Sequence, residues 1–493
     1  MIINPKSVFP VLNIDASDGW NCLIGLSDDF LDEKGLARLM KPLDGKCLGV
    51  IVEREYIDKD YRDTFANFHA KRFNTPPSRC VRLHFFRDAI SSESLREGSC
   101  FHEGNEYLGY SVIRATRPNS IGRTFLSHKL RQCNDSHLCL CDERVQILGE
   151  RLDVRGFPFI SQDVDATVCA ESSLWMILRY LSNRYVHYAE TLPFQITQLA
   201  SNHAVGSRVF PSPGLYSWQL AEALRLRNVS PMVYSRKRYP EKFEHLLYTY
   251  LESGFPILAT VAGHVFVALG HSSDFSVAPD VADGQYRYTS AFNKSLTICD
   301  DNGFPYQTLW QDRNLDTPNC SKYHFDDIQE FIVPLPEKVF LPAEQAQQAI
   351  EKVLKDTFTG IDRLSPSLKN EDLTLRLFLT TGRALKAKLT SRGMGNSQVA
   401  ALYRQIPLPH FIWICEISVT TEYQNDYKVR GEVIWDATRN AHEPNGWVAL
   451  HYPEILVLDI GSIFNKRQKL HRIPLPNPVP YGLFQSNLNP LKP

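Results

Sequence analysis

Cys169, His264 and Asp300 are the residue types that a thiol acyl-transfer site requires, and they occur in that order along the chain. A cysteine nucleophile needs a base to take its proton, a group to orient that base, and donors to hold the oxyanion. Cys169 lies within QDVDATVCAESSLWMILRY, residues 162–180, and His264 within AGHVFVALGH. Asp300 follows LTIC and opens the turn DDNG. Gln162 stands seven residues ahead of the cysteine. Its side-chain amide is an oxyanion donor if it reaches the front of the helix beside the Cys169 N–H.

The elements around these residues are legible. Leu174, Ile177, Leu178 and Leu181 recur at helical spacing, so a core-packed helix is predicted to begin near Cys169. At that end, unpaired N–H groups and the helix dipole favour an anion such as a thiolate. His264 begins a predicted strand that puts His264, Phe266 and Ala268 on one face and Val265, Val267 and Leu269 on the other. Asp300 ends a second predicted strand, within reach of the histidine by cross-strand pairing. Asp301 and Asn302 are alternative orienters. Each part alone has an ordinary structural reading: a buried cysteine, a core histidine, an acidic turn. Their order, from Gln to Cys-helix to His-strand to Asp-strand, is what points to chemistry.

The chain has 493 residues, too many for one core, so two to four domains are expected. The 43% hydrophobic and 22% charged residues are those of a globular protein. A net charge of −1 gives no electrostatic reason to expect nucleic acid or an anionic membrane as partner. The opening MIINPKSVFPVLNIDASDGW lacks the pattern of a signal peptide, and no apolar run reaches about 18 residues. Eleven cysteines without framework spacing fit free thiols in a reducing compartment, and a cytoplasmic location is expected.

Residues 1–148 read as an N-terminal α+β domain. It has an amphipathic helix over 60–73 (Phe65, Phe68 and Phe73 on one side), a strand–turn–strand over 106–128 turning at Pro118 and Asn119, and a hairpin leading toward Cys169. Residues 149–336 carry the four candidate residues, with helices over SPGLYSWQLAEALRLRNV and FEHLLYTYLESG and a break at Gly263. Residues 337–493 form a C-terminal α+β domain. A helix is expected through EDLTLRLFLTTGRALKAKLTS, then paired strands PHFIWICEISVTT and YKVRGEVIWDAT, then a Pro-rich arm on the surface.

The central region resembles the papain-like cysteine peptidase superfamily, and most closely the bacterial double-glycine leader-peptidase branch. Three motifs carry the resemblance over roughly residues 155–335: FISQDVDATVCAESSLWMILRY, GHVFVALGH and ICDDNG. It implies an α/β (α+β) chain with a central papain-like cysteine-hydrolase domain and a bacterial source. It further implies Cys169 as nucleophile, His264 as base, Asp300 as orienter and Gln162 as oxyanion donor, with no cofactor and no metal. Three departures stand out. Ala170-Glu171 follows the cysteine where the family has Gly and a small residue, Asp301 replaces a proline, and residues 273–294 read as an inserted hairpin or lid.

Two other clusters have the residue types of a site. CNDSHLCLC gathers Cys133, His137, Cys139 and Cys141, but lacks the paired spacing of a zinc site. His410 and Asp436 repeat a histidine–aspartate strand pattern, read as a sheet core with Trp413 and Trp435, a degenerate second copy, or a rival pair for Cys169. Lys386, Lys388 and Arg392 read as a solvated helix face.

The function expected is hydrolysis of a peptide or isopeptide bond through a Cys169 acyl-enzyme, with a peptide or protein substrate and protein partners docking on the flanking domains. The alternatives are transglutaminase- or deamidase-type acyl transfer on the same fold, and an inactive binding module. Glu171 favours the last, because a carboxylate desolvated beside a thiol disfavours the thiolate.

Overall fold

The computed structural model describes residues 9–490 other than 15–16, 102–103, 117–119, 132–135, 164–168, 202–214, 277, 283, 316, 318, 395–396, 441–445, 460–469, 486 and 488. The predicted turn at Pro118 and Asn119 lies outside the described residues, as does Cys133. The architecture is mixed α+β, built on three large sheets.

The first sheet is antiparallel throughout, in the order Val11–Asn13, Gly49–Tyr56, Cys80–Phe86, Tyr107–Ile113, Ile121–Ser127, Glu150–Phe159, Cys141–Ile147. Leu148 and Gly149 both have positive φ, the conformation of a two-residue turn that matches strand twist. The sequence boundary at Leu148 therefore falls inside a hairpin whose second strand still belongs to this sheet. The expected helix over 60–73 is Lys59–Asn67, capped by Asp58 accepting from the Tyr61 N–H, plus one 3₁₀ turn, His69–Lys71. Phe73 is fully exposed and does not join the apolar face.

The second sheet runs Gln307–Trp310, Asn293–Cys299, His264–Ser273, Ile257–Val261, Glu330–Pro336, Val229–Ser235, again antiparallel. Two distant segments join it. Ser136–Leu138 pairs with the His264 strand, and Asn489–Pro490 pairs with Ser136–Leu138. The third sheet runs Arg287–Tyr288, Leu373–Thr381, Phe411–Val419, Gly431–Asp436, Trp447–Tyr452, Ile455–Asp459, Leu470–Pro474.

Four expectations are corrected by this topology. Leu373–Thr381 is a strand, and only Gly382–Lys388 is helical. Leu373, Leu375, Leu377 and Leu379 alternate onto one core with Phe378 on the other, a period of two that the helix reading overlooked. The insertion after Ser273 does not form a hairpin over the site. Its Arg287–Tyr288 runs parallel to Leu373–Thr381, and Arg287 bonds Asp372 and Thr420. The C-terminal arm does not simply lie on the surface, because Tyr481 and Phe484 are buried in the third-sheet core. Arg392, read as part of a solvated face, is buried between Glu416 and Glu432 at 2.8 and 2.7 Å. Trp413 and Trp435 are core residues as expected.

The helix Cys169–Arg184 lies between the first two sheets and is buried from Ala170 to Leu181. Its Leu174, Trp175, Ile177 and Leu178 share a core with Val145, Val154 and Phe157 of the first sheet and with Val265, Val267 and Leu269 of the second. Phe266 and Ala268 face the opposite core, where the helices Phe243–Glu252 and Ala343–Leu354 pack against the third sheet. The alternation read from the sequence is thus the division between two hydrophobic layers. No helix among the described residues is long and apolar enough to cross a membrane.

Arg392→Ala leaves Glu416 and Glu432 buried without their shared cation. It is expected to lower unfolding free energy by about 3–5 kcal/mol, read by denaturant titration of the tryptophan fluorescence.

Candidate active site

Cys169 is the first residue of the buried helix, so its N–H has no acceptor four residues back within the helix. One turn further on, the Ser173 hydroxyl donates to the carbonyl of Val265 at 3.1 Å. That bond fixes the helix start against the strand start, because Val265 directly follows His264. Cys169 is partly exposed, and its thiol lies close enough to His264 to raise the proton affinity of the imidazole. The ten described cysteines are all free thiols.

His264 Nε2 lies 2.8 Å from Asp300 Oδ1. Engagement of Nε2 leaves Nδ1 as the ring nitrogen for the thiol. The pair forms because Val267 and Cys299 are cross-strand partners, which brings the open end of one strand beside the residue after the other. Of the three candidate orienters, Asp300 makes the contact. Asp301 Oδ1 is 3.7 Å from the ring, and the Asn302 N–H donates to Asp300 at 3.0 Å. Burial works against charge on the imidazole, yet the hydrogen bond to Asp300 and the nearby Cys169 thiol outweigh it and lift the His264 pKa to about 10. Burial likewise opposes charge on Asp300, and His264 overcomes it, holding that carboxyl below its ordinary value.

Gln162 is brought to the same place, where its Nε2 donates to Asn302 Oδ1 at 2.5 Å. The amide has a second N–H for an oxyanion. Its position is set by the first sheet. Ser161 donates to the Ile121 carbonyl at 2.6 Å, Arg114 donates to the Ser161 carbonyl at 3.1 Å, and Asp163 meets the buried His69 at 3.0 Å. The candidate donor thus hangs from one sheet and the base from another, with the thiol on the helix between them.

Three contributors carried no sequence signal. Tyr323 stacks on His264 with centroids 5.4 Å apart, closing one face of the imidazole. Arg38, from the helix Glu33–Leu43, donates to the carbonyls of Asp301 and Gly303 at 2.5 and 2.8 Å and so clamps the acidic turn. Ser173 is the third. Each acts through a contact to a residue far away in the chain. Beside Asp300 and Asn302 opens a cavity of about 440 Å³ whose cationic lining is Arg38, Lys41 and Lys322.

Glu171 does not point to solvent. It is buried and accepts from Thr197 Oγ1 at 3.1 Å, directed at the helix Pro193–Ser201. His410 and Asp436 do not supply Cys169. Asp436 accepts from the N–H and hydroxyl of Thr438, while His410 lines a separate cleft with Tyr185 and Tyr188. His264, Asp300 and Asp301 place one ligand atom each within 4.8 Å of one another, but the imidazole nitrogen facing Asp301 is already held by Asp300. Comparison of the chain with known protein families, curated proteins and solved structures finds no match.

Asp301 is fully buried and neither carboxylate oxygen has a hydrogen-bond partner. Burial first, and then the charge of Asp300, lifts its pKa to about 7. A carboxyl raised above its ordinary 3.8 costs the fold nothing below that pH, and the cost grows until about pH 7. Asp301→Asn is therefore expected to stabilise the protein by on the order of 2–4 kcal/mol above about pH 7, with the gain vanishing near pH 4. Thermal unfolding of both proteins across that range measures it.

Proposed function

We propose that this protein is a cysteine hydrolase of the papain-like kind, acting on a peptide or isopeptide bond. The observation that carries this reading is the 2.8 Å His264–Asp300 hydrogen bond beside the Cys169 thiol, which stands at a helix start near enough to raise the pKa of the imidazole. In the proposed reaction the thiol proton passes to His264 and the sulfur attacks the carbonyl carbon. The Cys169 N–H and the second N–H of Gln162 receive the oxyanion. The imidazolium then gives its proton to the departing amine, leaving an acyl-enzyme, and water attacks that thioester with His264 as base. Asp300 holds the ring in the orientation that serves both steps. Tyr323 shields one face of it from water.

The raised His264 pKa supports an imidazole that holds a proton tightly once it has taken it from the thiol. The Glu171 carboxylate is directed at Thr197, which weakens the reading of an inactive binding module. An amine in place of water would give transglutamination, and a glutamine side chain as substrate would give deamidation.

Alkylation of Cys169 by iodoacetamide, followed by peptide mass mapping across pH, tests the relay. Wild-type Cys169 is expected to react at least about tenfold faster than the other thiols near pH 6. His264→Ala is expected to abolish that advantage near pH 6 and to converge with the wild type near pH 10, where an ordinary thiol is ionised. Equal rates for both proteins at pH 6 would sink the catalytic reading and leave a binding module. A peptide library with hydroxylamine as acyl acceptor then separates hydrolysis from transfer to amines.

A further inference from the structure

A second polar cluster lies on the same strand as His264, at its far end. His271 and His137 are direct cross-strand partners in the pairing of Ser136–Leu138 with His264–Ser273. Their rings are nearly parallel, at 18° with centroids 5.3 Å apart. Glu252, the last residue of the helix Phe243–Glu252, places Oε1 2.8 Å from His271 Nε2. One ligand atom from each of the three lies within 4.8 Å of the others. Nδ1 of both histidines is buried without a hydrogen-bond partner.

Charge along the buried chain that begins at Glu252 is unbalanced. Arg376 bonds Glu252 at 2.5 Å and Glu416 at 3.0 Å, and Arg392 bonds Glu416 at 2.8 Å and Glu432 at 2.7 Å. Three carboxylates therefore share two guanidiniums. All five side chains are almost entirely out of water, where an uncompensated charge is costly. The chain ends at Glu432, whose Oε1 has no hydrogen-bond partner, and at Glu252, which meets the histidine pair; a divalent cation at the histidines would turn its net charge from −1 to +1.

We infer that His137, His271 and Glu252 form a binding site for a divalent transition-metal cation of the zinc type. Two imidazoles and one carboxylate are a zinc donor set, and the nitrogen ligands disfavour calcium and magnesium. The neutral imidazole is the ligating form, and the buried Nδ1 atoms leave each ring with a nitrogen not committed to a protein partner. Arg376 occupies Glu252 Oε2, leaving Oε1 for the ion with an outer partner that fixes its orientation. On binding, the His271 proton shifts from Nε2 to Nδ1, and Nε2 and Glu252 Oε1 exchange their mutual hydrogen bond for bonds to the metal. The ion would pin together the His137 strand, the second sheet and, through Arg376, the third sheet. This inference is independent of the proposed hydrolase activity.

Metal analysis of the full-length protein, purified without chelator and dialysed, tests it, with visible absorption after Co²⁺ substitution as a second readout. About one zinc per chain is expected, together with the intense ligand-field bands of four-coordinate Co²⁺. His137→Gln is expected to lose both, while Cys169→Ser and His264→Gln retain both. The wild-type Co²⁺ spectrum needs no variant to fold. A protein that holds no zinc and gives no visible bands overturns the inference. Metal lost with His264→Gln but kept in His137→Gln overturns it too, by placing the ion at the relay.

Discussion

Burial of the helix Cys169–Arg184 on all sides is the constraint from which the site follows. A helix with one apolar stripe can slide or roll on its support, whereas one enclosed by two sheets has a single register. Leu174, Trp175, Ile177 and Leu178 are held by strands of both sheets, and the Ser173–Val265 hydrogen bond sets the axial position. Cys169 is then presented at the partly exposed N-terminal end of the helix. Its distance to His264 is a consequence of packing spread over the whole helix. No loop need hold it.

The site is shared among layers. The first sheet holds Gln162 through Ser161 and the 3₁₀ turn at His69 holds it through Asp163, the second sheet holds His264 and Asp300, and Arg38 crosses from the N-terminal region to grip the acidic turn. Residues 1–148 are therefore part of the site's framework as well as a candidate docking unit. The insertion after His264 links in the opposite direction, to the third sheet through Arg287. With Ser136–Leu138 and Asn489–Pro490 both joining the second sheet, each region lends a strand to its neighbour. Such exchange makes cooperative unfolding of the three sheets the expectation.

Electrostatics divides the interior into two regimes. Around His264 two adjacent carboxylates serve one imidazole, and only Asp300 is satisfied, so Asp301 is pushed toward its protonated form. Along Glu252, Arg376, Glu416, Arg392 and Glu432 the charges alternate, three carboxylates sharing two guanidiniums. The first arrangement shifts proton affinity within reach of solvent. The second sits in the core and joins the third sheet to Glu252.

Much of the site was legible because its parts obey local periodicities. The i, i+3, i+4, i+7 spacing after Cys169 and the alternation from His264 to Leu269 are properties of a few consecutive residues, and both elements form as read. The Leu373–Thr381 strand differs from the helix expected there because its period of two, Leu373, Leu375, Leu377 and Leu379, runs directly into the true helix Gly382–Lys388. What the sequence by itself determined is which residues sit at element ends facing a common layer: Cys169, His264, Asp300 and Gln162. Only the tertiary structure decided that Asp300 rather than Asp301 meets the imidazole, that Tyr323 and Arg38 complete the surroundings, and that His137 pairs with His271 instead of Cys139 or Cys141. Those outcomes depend on strand register and sheet stacking across many residues of separation, and a one-residue slip would reverse them.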